Sequence, residues 1–466
     1  MEIRFCLHPH LVKPGGPYLH AMMRDVENLR RIGMSDGQAV MKAEALVQCD
    51  RALDQIGSKG PRWSVWVPGR LELFGKHTDY AGGRSLLCAV ERGFVVRVSA
   101  REDHVIRAVD VSAGESCEAS LDPGAPVAES GWAQYVATVG RRLGRNFPSA
   151  GCGVDLAFSS DLPVAAGMSS SSALMIAVFV SLAKSNDLRS SEEFRREIFS
   201  REELASYLGC IENGEHFRSL EGDAGVGTFG GSQDHTAIMC SAPGRVIQYA
   251  FSPVRREAVY RLPVTHTFVV ASSGLVAEKT AGARHAYNRA ALMVRHLLTS
   301  WNAAEGRTDA TLADAVRSSD GAVDRLREIA AASATEAFTA VALRHRLDQF
   351  VLEAFELIPA AGSAIARSDM DAWGGLADRS QQAAAEWLGN QVPETIALAR
   401  MAREIGATAA SSFGAGFGGS VWALVPAGTT GDFARAWERA YAAEFTERAA
   451  QAAFFATPAG PGAMQW

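Results

Sequence analysis

The sequence predicts a mixed chain of helices and strands, divided over two or three domains. Three observations carry that expectation. The chain has 466 residues, too many for one hydrophobic core. Residues 94–98 and 154–158 have the short apolar or alternating pattern of strands. Residues 22–53 and 394–402 repeat apolar side chains at helical spacing. Hydrophobic residues make up 47% and charged residues 21%, as in ordinary soluble domains.

Composition also excludes. A formal net charge of −6 argues against broad nucleic-acid or anionic-membrane binding. No apolar run approaches the ~20 residues that span a bilayer. The first eight residues lack the apolar core of a signal peptide. The 7 cysteines are scattered and form no CxxC pair, which suits reduced thiols and offers no zinc site. The expectation is a cytoplasmic chain with neither nucleic acid nor membrane as partner.

Taken in order, residues 1–60 read as largely helical, punctuated by Gly15-Gly16-Pro17 and by Gly57-Ser58-Lys59-Gly60-Pro61. Trp63-Ser64-Val65-Trp66-Val67 reads as a strand. It runs into residues 68–83, where Arg70, Lys76, His77 and Asp79 sit among glycines. Those side chains suit convergence on a polar ligand, with donors and an acceptor for hydroxyls. Two more strands follow, and Trp132 opens a helix that carries Tyr135.

The strand at 154–158 then meets Leu162-Pro163-Val164-Ala165-Ala166-Gly167-Met168-Ser169-Ser170-Ser171-Ser172 and an apolar helical run. Strand, small-residue loop and helix start together make a phosphate cradle. Backbone N–H groups can approach an anion there, and the helix terminus adds about half a positive charge. No Walker Gly-Lys-Ser/Thr follows. Capping alone also accounts for serines in such a place. Their company favours a ligand.

Residues 194–210 read as helical and close at Glu212-Asn213. A glycine-rich stretch ends in Gly230-Gly231-Ser232-Gln233-Asp234, which places an acid directly after a loop. A strand at 266–273 and a helix at 281–299 with Tyr287 open the second half. Helices continue to Ile405, with breaks expected at Pro359 and Pro393. Phe413-Gly414-Ala415-Gly416-Phe417-Gly418-Gly419-Ser420 suits close backbone approach, and a strand follows. The Pro/Gly-rich tail at 456–462 is expected to be mobile.

Three of these stretches, in this order, resemble the GHMP small-molecule kinases. Residues 68–83 are similar to the galactokinase branch, with its Pro-Gly-Arg and Gly-Glu-His-x-Asp-Tyr. The serine loop resembles the family's ATP-phosphate loop, and residues 413–424 its C-terminal glycine motif. The resemblance implies an α+β, two-domain GHMP kinase fold. Its first domain would be ribosomal S5 domain 2-like, its second ferredoxin-like, with the active site in the cleft between them. It implies an N-terminal extension over 1–61, a first domain over 62–263 and a second over 264–466. It implies ATP and Mg²⁺ as cofactors, a small sugar as partner and a monomer or weak homodimer. The implied reaction is phosphorylation of a sugar's anomeric hydroxyl.

Roles carry over by position. Asp234 is the implied catalytic base and Arg70 its charge-stabilising partner. Lys76, His77, Asp79, Gly231 and Tyr287 would hold the sugar. Trp132, Tyr135, Ala166, Gly167, Met168, Ser169, Ser170, Ser171, Ser172, Gly414 and Gly416 would hold ATP. Ser171 and Glu212 would hold Mg²⁺. The chain departs from the pattern at Lys76, where galactokinases carry Glu. That exchange opens a galacturonate-type or arabinose-type substrate beside galactose itself. The segment from Glu212 to Asp234 is also longer than the family's. A catalytically silent sugar sensor is the reading from a different class.

Overall fold

The structure is a computed structural model that describes residues 18–126, 131–163, 166–275 and 281–466, the last of these by backbone alone over 281–284. Residues 1–17 of the expected extension, and Val164 and Ala165 of the serine loop, lie outside the described residues. Helices α1 (Leu19–Arg31) and α2 (Asp36–Gln55) form the rest of that extension. Strands β1 (Arg62–Phe74), β2 (Arg84–Ala100), β3 (Val105–Asp110) and β4 (Glu115–Ser120) follow. Next come α3 (Ala133–Asn146), β5 (Val154–Ser160), α4 (Ser170–Ser185), α5 (Glu192–Glu197), α6 (Arg201–Asn213) and α7 (Gln233–Cys240). Strands β6 (Arg245–Ala250), β7 (Arg255–Arg261) and β8 (His266–Ser272) lead into the second half.

The larger sheet follows the order β13-β1-β2-β5-β3-β4, where β13 (Met464–Gln465) comes from the far end of the chain. Both faces of its central strands are covered, so these strands are apolar on both sides. Val65 and Val67 of β1 join the core under α3 and α4. The alternate residue Trp66, with Val95 of β2, packs under α1 and α2 beside Leu29 and Leu46. The period of two in a strand sorts these side chains.

A helical group follows β8. It comprises α8 (Ala281–Glu305), α9 (Leu312–Val316), α10 (Ala322–Ala332), α11 (Ala340–Val351), a π turn (Leu352–Leu357), α12 (Ile358–Ala366) and α13 (Met370–Ala383). Pro359, where a break is expected, sits in the first turn of α12 and the helix runs on. The wider turn before it supplies room for the ring. Pro393 does mark a start, that of α14 (Pro393–Glu404). Residues 340–366 have the length and hydropathy of a membrane-spanning helix, a run the sequence reading did not expect. Their Arg346, Gln349 and Glu353 are fully buried inside the protein.

Strands β9 (Ala409–Phe413), β10 (Ser420–Pro426) and β11 (Ala453–Thr457) form the second sheet with β8, in the order β11-β8-β10-β9. Val421 and Ala423 face α14 and α15 (Thr430–Glu444). The alternate residues Trp422 and Leu424 face the large core shared with the first sheet. Trp422 meets Trp373 at 5.4 Å, and its indole N–H donates to the Glu72 carbonyl at 3.2 Å. The sheet of the second half therefore rests against β1.

The tail expected to be mobile is paired and largely buried. β12 (Ala459–Gly460) joins β2, and β13 joins β1. Residues grouped by sequence with the second domain thus complete the sheet of the first. Trp466 donates to Asp25 of α1 at 2.8 Å. Arg97 of β2 binds Asp25 at 2.6 Å and Asp50 of α2 at 3.0 Å, all buried. One arginine thereby ties both N-terminal helices to the sheet. Replacing Arg97 with Met would leave two buried carboxylates facing each other. The unfolding free energy in urea should then fall by about 3 kcal/mol or more. A loss below about 1 kcal/mol would show that apolar packing alone holds the helices.

Candidate active site

β1 and the first turn of α7 build the centre of the site. Arg70, on β1, is 3% exposed and donates from Nε to Asp234 Oδ1 at 2.7 Å. Its Nη1 donates to the Gly167 carbonyl at 2.5 Å, and its guanidinium lies 5.7 Å from the Phe413 ring. One side chain thus joins the serine loop, the glycine-loop aspartate and the end of β9. The Ser169 hydroxyl donates to the other carboxylate oxygen of Asp234. Asp234 keeps 32% of its side chain exposed, so it reaches the cleft.

That cleft holds about 180 Å³. Arg70, His77, Asp79, Gly167, Ser169–Ser172, Glu212, Gly231, Asp234, Tyr287, Gly414 and Gly416 all line it, as expected from sequence. Ser170, Ser171 and Ser172 form the first turn of α4, whose N-terminus opens on the cleft. Ser169, the N-cap, takes a left-handed φ of 61° to bring the loop onto the helix. Glu212, near the end of α6, accepts from the Ser172 hydroxyl at 2.7 Å. The His235 ring nitrogen lies 3.2 Å from the same oxygen. Glu212 and the serines are oxygen donors of the hard type that Mg²⁺ prefers.

Asp79 opens a short turn and accepts from the Gln233 backbone N–H at 3.0 Å. Burial, with Asp234 close by, pushes its carboxyl up to about 6. A Cβ at Gly231 would lie 2.2 Å from Asp79 Oδ2, so only glycine lets that loop close over the aspartate. Burial pushes the Tyr287 hydroxyl well above its usual range. Asn213 clamps the loop, donating to the Gly230 carbonyl at 2.8 Å and accepting from its N–H at 3.0 Å. The long segment before it folds back on α3, where Arg141 pairs with Asp223 at 3.0 Å.

His77 departs from a simple ligand. Its Nε2 meets the Ala415 carbonyl at 3.0 Å and its Nδ1 the Tyr80 hydroxyl at 2.9 Å. A carbonyl only accepts, so Nε2 carries the proton and Nδ1 accepts. His77 is therefore a wall of the cleft and a tether between the 75–83 turn and the C-terminal glycine loop.

Lys76 corrects the sequence expectation more sharply. It is fully buried and absent from the cleft lining. Gly75 at φ 114° and His77 at φ 57° turn the chain so that Lys76 enters the helical group. Its Nζ donates to Ser380 at 2.9 Å, and Ser380 donates to Glu353 at 2.9 Å. Glu353 also accepts from the Gly75 N–H at 2.7 Å. The lysine holds the turn from behind.

Other expected residues lie outside the lining. Trp132 packs edge-on to Phe158 at 5.4 Å and donates to Glu115 at 2.9 Å. Tyr135, one turn along, packs against the main core. Ala166 and Met168 are buried; their carbonyls accept from the Ser420 hydroxyl at 2.6 Å and the Arg70 N–H at 3.4 Å. Sequence reasoning missed Glu72, Asn213, Thr228, Gln233 and His235, which all line the cleft. For Glu72 a signal existed: two residues after Arg70 in a strand puts it on the same face.

Comparison with known proteins agrees with this geometry. Residues 54–100 match the galactokinase galactose-binding signature, 134–240 the GHMP kinases N terminal domain and 362–443 the GHMP kinases C terminal. A galactokinase of Haemophilus influenzae strain PittGG is 36% identical over 118 residues, 25% of this chain and 31% of that protein. One of Actinobacillus pleuropneumoniae serotype 5b is 37% identical over 115 residues, 25% and 30% of the two chains. The matches thus span about a third of the length of these relatives. The fold is like that of Lactococcus lactis galactokinase complexed with galactose, at TM-score 0.73 and 22% identity, over 89% of this chain and 98% of that one. A Lin0012 protein from Listeria innocua is similar at TM-score 0.53 and 13% identity, over 87% and 99%.

Burial lowers the His77 ring to about 4. Nitrogen-detected NMR should show a neutral, Nε2-protonated ring from about pH 5 to pH 8. The unfolded ring titrates near its usual ~6.5, so stability from this group is lost as pH falls from there toward about 4. A ring that titrates near 6.5 in the folded protein would contradict the tether.

Proposed function

We propose a function from one premise: the chain belongs to the GHMP kinase superfamily. GHMP kinases use ATP, and the function proposed for this chain is an ATP-dependent sugar 1-kinase with galactose as substrate. The observation that carries it is the Arg70–Asp234 pair at 2.7 Å, set between the α4 N-terminus and the His77–Asp79 turn.

The chemistry follows from those parts. Asp234 takes the proton of the sugar's anomeric hydroxyl as that oxygen attacks the terminal phosphorus of ATP, and the bond to ADP breaks. Arg70 orients Asp234 and offsets charge that develops on the transferred group. The N–H groups at the start of α4 and the Ser170 hydroxyl cradle the phosphates, with the helix terminus behind them. Ser171 and Glu212 would hold Mg²⁺, which neutralises phosphate charge when bound. Asp79, Tyr287 and the Gly231 backbone fix the sugar. The cytoplasm, with its supply of ATP, is the compartment proposed.

Galactose is preferred to the uronate reading because that reading needs Lys76 to face the sugar, and Lys76 bonds to Ser380 instead. It is preferred to the pentose reading, in which Lys76 turns away from the sugar, because residues 54–100 match the galactokinase galactose-binding signature. An active enzyme is preferred to a silent sensor because Asp234, Arg70 and the serines are present and convergent.

The test is ATP consumption by the purified chain with Mg²⁺ and galactose, galacturonate, glucuronate, arabinose or fucose. Turnover on galactose is expected, reduced about 10²- to 10⁴-fold in Asp234→Asn with ATP binding retained. No turnover on any sugar, with ATP still bound, would replace this reading with the sensor.

A further inference from the structure

Alternation along β1 sends Arg70 and Glu72 to the same face, opposite the first turn of α7. Two rungs form there. Arg70 binds Asp234, and Gln233 donates from Nε2 to Glu72 Oε2 at 2.6 Å. The ionised Glu72 carboxylate only accepts, which fixes the Gln233 amide with Nε2 toward it, and Oε1 then accepts from the Ser85 hydroxyl at 2.5 Å. The Gln233 backbone N–H is the one that holds Asp79. Gln233 therefore gathers Glu72, Asp79 and its neighbour Asp234 on one side of the cleft.

The remaining oxygen, Glu72 Oε1, has no hydrogen-bond partner among the described residues. The residue is 2% exposed and lines the cleft. A buried carboxylate oxygen without a donor is costly. In a ligand cleft, a hydroxyl of the ligand is the donor that would remove that cost. We propose that Glu72 is a further specificity-determining residue of the site, its Oε1 accepting a hydrogen bond from a non-reacting hydroxyl of the sugar. The proposal rests on the sugar-kinase reading and adds a contact to it.

The electrostatics agree. The charged and titratable groups around Glu72 are Arg70 on its own strand, Lys76 on the following turn, Tyr80 beyond it and Asp234 on α7. Burial outweighs the two cations and raises the carboxyl to about 7. Only the ionised form is a pure acceptor. Sugar affinity should therefore rise with pH through that region.

The experiment compares wild type and Glu72→Gln in steady-state kinetics on galactose and its 2-, 3-, 4- and 6-deoxy forms, from pH 6 to pH 8.5. At the upper end, the variant should raise the sugar KM about tenfold. Its kcat should stay within about threefold of wild type. Wild-type KM should fall as pH rises through about 7, and the variant's KM should stay flat. One deoxy sugar should lose about tenfold in kcat/KM with wild type and little with the variant. A merely structural role would move none of these three readouts together. Unchanged KM, pH dependence and deoxy profile in the variant would overturn the proposal and leave the kinase reading standing. Absence of turnover by wild type on every sugar would overturn both. If Glu72→Gln does not fold, the wild-type pH and deoxy profiles decide: a flat KM with no sensitive hydroxyl overturns the proposal.

Discussion

Arg70 is the constraint on which the site depends. It is buried, and a buried guanidinium must be paired on all sides or it destabilises the fold. Its partners are the Asp234 carboxylate, the Gly167 carbonyl and the face of Phe413. These belong to the first turn of α7, the serine loop and the end of β9. Satisfying one charge therefore sets three distant segments at fixed distances. The same arrangement leaves Asp234 partly open to the cleft, where a carboxylate can act.

The turn at 75–83 is held in a related way, from the side away from the cleft. Arg346 donates to the His77 carbonyl at 2.5 Å, and Gln349 to the Lys76 carbonyl at 3.1 Å. Glu353 takes the Gly75 N–H. All three come from one continuous helical run of the second half. A buried hydrogen-bonded network of this kind restrains what it touches, although Glu353 Oε2 has no partner among the described residues. His77 and Asp79 thus stand on a surface fixed by residues some 270 positions later in sequence. The strand pairings of β12 and β13 with the first sheet bind the two halves in the same sense.

Local pattern made much of this legible. Short apolar or alternating runs point to β1, β2, β5, β8 and β10, and the serine loop announces the start of α4. The resemblance of three ordered motifs led to Arg70, Asp79, Asp234 and the glycine loops, which do converge. What stayed hidden depends on where a side chain turns. Lys76 directly precedes His77, which lines the cleft, yet two positive φ angles send it to Ser380. Glu72 is hidden by the apolar stretch around it, although its spacing from Arg70 places it on the same face. The C-terminal tail looked loose because Pro and Gly dominate it. Its backbone still pairs, which composition cannot report.

The central claim is that Arg70 and Asp234 act as one unit. The measurement that tests it is a double-mutant cycle on kcat/KM for the sugar, with Arg70→Lys, Asp234→Asn and both together. A unit predicts strong non-additivity, with the double variant about as impaired as the worse single one. Losses that multiply across the cycle would show two independent contributions and contradict the account.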